Sequence, residues 1–152
     1  MVETGAVMAK TYRIGVGTKA VNAVFLAMTR AGLGKGYRHV LTVVGRKTGR
    51  AYSIPVDVME RDGERWLVAA YGVTNWVRNV RTAGDVTLSR GGRSERLRAV
   101  EAGPEESVPV LRQYWREVPV TRPYFDVTAS STHQEFLAEV RRHPVFRLVG
   151  LR

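Results

Sequence analysis

The sequence predicts a mainly β domain with helices (α+β), built as a small antiparallel barrel with helices on its outside. Three observations predict it. From His39 onward, short β-branched or alternating runs are joined by tight glycine turns. Helix-period stretches precede this meander and return late in the chain. Finally, 152 residues with 44% apolar and 25% charged content suit one folded domain with a sizeable core.

The elements follow in order. An N-terminal segment, 1–17, has no periodic pattern and precedes the domain proper, 18–152. Val21, Val24, Phe25 and Met28 recur at helical spacing within Lys19–Leu33, with Thr18 placed to cap the start and Gly32 or Gly34 to end it. Packing on the barrel is the expected fate of that apolar face, and peripheral contact with a membrane surface is the second. His39–Val44 is a β-branched buried strand, and the glycine-bracketed run Gly45–Arg50 is a turn. Ala51–Met59 alternates, with Tyr52, Ile54, Val56 and Val58 on one face. Asp62-Gly63 marks a tight hairpin, and Arg65–Tyr71 is the returning strand. Asn75–Thr82 reads as a short helix with Trp76 and Val80 inward. Asp85–Ser89 and Arg93–Ala102 are strands around Gly91-Gly92. Pro104 opens a helix whose first turn carries Glu105 and Glu106, as the helix dipole favours. Its inward residues are Val108, Leu111, Trp115 and Val118, and Pro119–Pro123 breaks it. Thr132 and Glu135 form a capping box for a last helix, and Val145–Val149 adds a final strand.

Composition narrows the chemistry. Without cysteine the chain has no disulfide, thiolate metal site or cysteine nucleophile, which is compatible with a reducing cytoplasm. No apolar run is long enough to span a bilayer, and the N-terminus lacks a signal-peptide pattern, so the expected location is cytoplasmic. His39, His133 and His143 sit at no metal-ligand spacing, and they read as a strand residue and two helix-end residues. No nucleophile elbow, P-loop or dinucleotide glycine fingerprint occurs. The net charge is +10, and residues 1–50 carry nine Lys or Arg against Glu3 alone, so most of the excess lies in that third. Such a field attracts anions.

Two stretches carry candidate chemistry. In Gly45-Arg46-Lys47-Thr48-Gly49-Arg50, glycines permit a tight backbone path, while outward amides, the Thr48 hydroxyl and three cations can surround a phosphate. An exposed basic hairpin turn explains the same residues equally well. In Ala69-Ala70-Tyr71-Gly72, small residues at a strand end leave room for a flat ring. Trp76 can wall that room or simply fill core, and core is the commoner fate of an inward tryptophan.

Together these stretches resemble the deazaflavin-dependent nitroreductase family, in its branch of F-420-dependent nitroreductases and quinone reductases. The resemblance rests on HVLTVVGRKTGR (39–50) with Pro55 beyond it, Arg61-Asp62-Gly63, LVAA (67–70) and WVRNVRTAG (76–84), four pieces in order over nearly the whole barrel. It implies a split β-barrel that binds coenzyme F-420, a deazaflavin with a phosphate and an oligoglutamate tail. It also implies hydride transfer from the reduced coenzyme to a quinone, a nitroaromatic or another small organic acceptor. By position, Arg46, Lys47, Thr48, Gly49 and Arg50 correspond to the phosphate turn. Ala69, Ala70, Tyr71 and Gly72 correspond to the strand end beside the ring. Pro55, Trp76 and Asn79 complete the implied coenzyme residues. Some relatives carry arginine where Tyr52 stands here, and Arg50 is placed to take over that charge. Relatives use late tyrosines near the acceptor, which makes Tyr124 the candidate catalytic residue, its hydroxyl able to protonate a reduced acceptor. Tyr114 is expected to be structural packing.

A coenzyme that brings its own hydride explains an enzyme with no triad or metal. FMN, whose phosphate the same turn could hold, is the less expected cofactor. The alternatives to a reductase are an F-420 carrier or sensor without turnover, and a basic module for nucleic acid or anionic membranes. Nucleic acid is not the expected partner, because aromatics are not interleaved with the basic residues as base-stacking platforms require. Both monomer and homodimer are compatible with this fold.

Overall fold

The computed structural model describes residues 38–151. The expected N-terminal segment and the helix over Lys19–Leu33 lie outside the described residues. Six strands form one closed barrel: β1 (Arg38–Val44), β2 (Ala51–Arg61), β3 (Glu64–Val68), β4 (Asp85–Arg90), β5 (Arg93–Glu101) and β6 (Val145–Gly150). Around the barrel they run β1-β2-β3-β6-β5-β4, every pair antiparallel, with β1 closing against β4. Between β3 and β4 the chain forms α1 (Asn75–Ala83). Between β5 and β6 it makes a longer excursion through α2 (Pro104–Glu117), the 3-10 turn η1 (Pro119–Tyr124) and α3 (His133–Val140).

The strand alternation sorts the core into two layers. Leu41, Val43, Val58, Leu67, Phe146 and Leu148 point into the barrel, where Val77 and Val80 of α1 join them. The residues between them point outward: Met59, Trp66, Val68 and Val145 pack under Val108, Leu111 and Tyr114 of α2 and Phe136 of α3. Helices and strands thus share an outer core that the barrel interior does not touch, and period-two patterning supplies both faces.

The turns have plain steric causes. Asp62 (φ 52°) and Gly63 (φ 76°) both take positive φ, as a two-residue hairpin that matches strand twist requires. Thr132 accepts from the Glu135 amide while the Glu135 side chain accepts from the Thr132 amide, so the capping box forms as expected.

Two expectations are refined. Tyr52 shares the parity of Ile54, Val56 and Val58 but is exposed, because β2 there runs past the barrel interior; its ring covers Gly45 instead. The strand expected over Arg65–Tyr71 ends at Val68. The Ala69 amide still donates to the Pro144 carbonyl at 2.9 Å, but proline has no N–H to return, so the ladder with β6 stops there.

Phe146 is fully buried inside the barrel, in contact with the α1 layer through Trp76. Phe146→Ala is expected to lower unfolding free energy by about 3–5 kcal/mol, measured by urea denaturation with an unchanged slope against denaturant.

Candidate functional site

Topology brings the two candidate stretches to one end of the barrel. β1 finishes at Val44 and β2 begins at Ala51, so the Gly45–Arg50 turn lies at that end. β3 runs antiparallel to β2, so its last residue, Val68, and the turn after it lie there too, and β6 starts there opposite Val68. β2 has 11 residues but pairs with β3 only from Val58 to Arg61. Among the described strands, residues 51–57 pair with β1 alone. The first half of β2 and the turn after β3 therefore lie at the same barrel end without pairing to each other. Pro55 sits in that stretch, where a missing N–H toward a second neighbour costs nothing.

The Gly45–Arg50 turn is tied down from within and from α1. The Gly45 amide donates to the Arg50 carbonyl (2.7 Å), and the Gly49 amide to the Gly45 carbonyl (3.0 Å). Gly49 has φ 72°, which glycine adopts without strain. The Thr48 hydroxyl accepts from the Arg50 amide (3.2 Å) and lies 3.1 Å from the Tyr52 hydroxyl. Asn79 of α1, only 5% exposed, accepts from both the Arg46 amide (3.1 Å) and the Arg46 guanidinium (2.7 Å). Arg46 therefore braces the turn. Lys47 and Arg50 are exposed, and among the described residues neither has an ion-pair partner. The Lys47 and Thr48 amides likewise have no protein acceptor among the described residues. Two adjacent free amides flanked by two free cations fit a phosphate and a polyanionic tail.

The second stretch is a buried turn. Ala69 is fully buried and Ala70 nearly so, Gly72 takes φ 91°, and its amide returns to the Ala69 carbonyl at 3.1 Å. Tyr71 is 40% exposed and meets Tyr124 edge-to-face, with ring centroids 4.8 Å apart. The structure thus places Tyr124, at the end of η1, beside the Ala69–Gly72 turn. Trp76 is half-buried against Phe146, at 5.9 Å, and packs on the barrel interior.

The sequence reading missed His143. Only 2% exposed, its ring lies beneath this turn, with Nδ1 2.9 Å from the Ala69 carbonyl and Nε2 2.9 Å from the Tyr124 carbonyl. It stacks on Phe125 at 3.9 Å. Glu139, one helical turn earlier, is also buried and lies 3.3 Å from Nε2. The i,i+4 spacing of Glu139 and His143 was the available signal. Tyr114 lies deep in the outer core. Burial above all, then the nearby Asp57 carboxylate, pushes its phenol well above the ordinary tyrosine range. That makes it a packing residue rather than a proton donor.

Among the described residues no cluster of His, Asp and Glu could hold a metal. A family model described as F420H(2)-dependent quinone reductase matches residues 20–143. The chain belongs to that family. As a member of the F420H(2)-dependent quinone reductase family it is an oxidoreductase whose coenzyme is F-420. No curated protein sequence matches it. Among solved structures, it is similar to the Agrobacterium tumefaciens protein Atu2129, of unknown function. The TM-score there is 0.54 and the identity 21%, over 83% of this chain and 52% of that one. The reductase thus spans about half the length of that relative. A pyridoxamine 5′-phosphate oxidase-like protein from Listeria innocua aligns with TM-score 0.51 and 12% identity, over 86% of this chain and 90% of that one. These two likenesses show the split-barrel fold. An F420-H2 dependent reductase, FDR-A, is 24% identical over 74% of this chain and 94% of its own, with TM-score 0.46.

Tyr114 yields a pH test. Its folded value lies above the unfolded value of about 10, so on raising the pH the unfolded chain loses this proton first. The corresponding stability is complete below about pH 10 and is lost as pH climbs toward the folded value. Alkaline titration of phenolate absorbance is expected to show one tyrosine ionising only with unfolding. That tyrosine is expected to be missing from the titration of Tyr114→Phe.

Proposed function

We propose that this reductase passes hydride from reduced F-420 to a small organic acceptor such as a quinone or nitroaromatic, and that the barrel end just described is where it does so. The observation that carries the reading is the Gly45–Arg50 turn. Its exposed cations and the amides of Lys47 and Thr48 sit on a turn braced by the buried Asn79, at the same barrel end as the small residues Ala69, Ala70 and Gly72. When bound, the reduced deazaflavin supplies the hydride. The chain's own residues supply the rest. Lys47, Arg50 and the Lys47 and Thr48 amides hold the anionic tail, and Arg46 and Asn79 keep that turn in shape. Ala69, Ala70 and Gly72 give a close, dry backbone wall for the ring, with Trp76 and Pro55 at its margins. In this reading the Tyr124 hydroxyl donates a proton to the reduced acceptor. Among the described residues no helix is long and apolar enough to cross a membrane.

Titration of F-420 fluorescence, with FMN in parallel, tests the coenzyme site. Lys47→Ala removes one charge-assisted contact worth about 1.5–3 kcal/mol. It is expected to weaken F-420 binding about 10- to 100-fold without moving the thermal midpoint, and salt is expected to weaken wild-type binding. An unchanged affinity in that variant defeats the phosphate assignment.

Oxidation of the reduced coenzyme against a panel of quinones and nitroaromatics separates a reductase from a carrier, which binds without turnover. Tyr124→Phe is expected to lower kcat by about 100-fold while leaving coenzyme affinity unchanged. An unaltered kcat removes Tyr124 from proton donation.

A further inference from the structure

We infer that His143 is a positioning residue for this site, a buried strut that sets the ring-side turn against the tyrosine on the acceptor side. The inference rests on the functional reading above.

It begins at the broken ladder. Val68 pairs with Val145, so Ala69 and Pro144 stand opposite each other as the next pair. Such a pair normally exchanges two hydrogen bonds. Ala69 donates to the Pro144 carbonyl, but Pro144 has no N–H for the Ala69 carbonyl. His143, the preceding residue, supplies that donor from its side chain, Nδ1 to Ala69 at 2.9 Å. The replacement has a consequence that a backbone N–H could not have. The far side of the same ring reaches the Tyr124 carbonyl, also at 2.9 Å. One rigid ring therefore spans the turn whose Gly72 amide also uses the Ala69 carbonyl and the residue whose side chain meets Tyr71.

Both ring nitrogens thus stand at hydrogen-bonding distance from a backbone carbonyl, one on each side of the ring. Glu139 Oε1 stands 3.3 Å from Nε2 and makes no hydrogen bond among the described residues. Its Oε2 accepts from the Asp126 amide at 3.1 Å and lies 3.4 Å from the Arg142 guanidinium, which also pairs with Asp126. Phe125 stacks against the ring face with an interplanar angle of 17° and blocks its rotation. A buried histidine used only as filler would need neither the second carbonyl nor the carboxylate. Here both ring nitrogens are spent on two separate segments, the turn after β3 and the end of η1.

The test uses His143→Leu, which removes both ring nitrogens, with His143→Gln and Glu139→Gln as milder variants should the first not fold. In the apoprotein, amide hydrogen exchange at Gly72 is expected to accelerate at least tenfold in His143→Leu, while exchange in the β1–β2 ladder stays as in the wild type. The near-ultraviolet dichroism of the Tyr71–Tyr124 pair is expected to diminish. In turnover, well below the melting temperature, kcat is expected to fall at least tenfold and the acceptor KM to rise, with His143→Gln recovering part of the loss. A lowered melting temperature with unchanged Gly72 exchange, dichroism and kcat would reduce His143 to core packing and overturn the inference. If wild type and Lys47→Ala alike fail to bind F-420, the functional reading falls, and Gly72 exchange in the apoprotein still decides whether the strut exists.

Discussion

The geometry of this molecule depends on a mismatch in strand length. β2 outruns β3, and β3 stops at Val68 because its next partner on β6 is Pro144. Here the hydrogen-bonding capacity of β2 over residues 51–57 is met on one side by β1 alone among the described strands. An unpaired edge invites non-native strand addition unless it is managed. Pro55 removes one donor from that stretch, and the Ala69–Gly72 turn folds across the space where β3 would have continued.

Charge is distributed with the same economy. Several strand arginines are matched across the sheet, Arg65 with Glu95, Arg96 with Asp85 and Arg147 with Glu64, and Arg81 of α1 pairs with Glu101 of β5. These exposed pairs add little stability, but they cancel field over the barrel wall. Among the described residues Lys47 and Arg50 have no ion-pair partner, so their charge stays available to an anion at the turn. The buried Asn79 makes this usable. By holding Arg46 through both backbone and side chain it keeps the turn's shape, so an anion need not organise it.

Much of this was legible in the residues, and the part that was not has definite causes. Asp62-Gly63 and Gly91-Gly92 named their hairpins because positive φ is needed there. Thr132 and Glu135 named a helix start. The end of β3 was hidden because alternation continues through it: Ala69 faces the barrel interior and Ala70 the outer core as if the strand went on. What stops the ladder is Pro144, 75 residues later in the chain than Ala69, and only the register brings the two together. Asn79 could be matched to the coenzyme site by position, but its hold on Arg46 depends on α1 packing beside β1. His143 read as an ordinary helix-end histidine because two of its partners are backbone carbonyls, which leave no trace in a sequence, and the i,i+4 spacing from Glu139 was the one signal it left.

The fold also divides its labour. Everything proposed to hold the coenzyme comes from the meander and α1: the β1–β2 turn, the end of β3, Asn79. Tyr124 comes from the excursion between β5 and β6, which packs on the outer core and is anchored there by Phe125, Phe136 and Tyr114. Those two cores share no residue, so substitutions in η1 or α3 can reshape the proposed acceptor side without disturbing the barrel interior behind the Gly45–Arg50 turn. In the proposed reaction the two halves must still hold a fixed separation, since reacting atoms have to approach within about 3–3.5 Å. A buried ring bonded to Ala69 on one side and Tyr124 on the other meets that need, joining the two layers where the chemistry requires them in register.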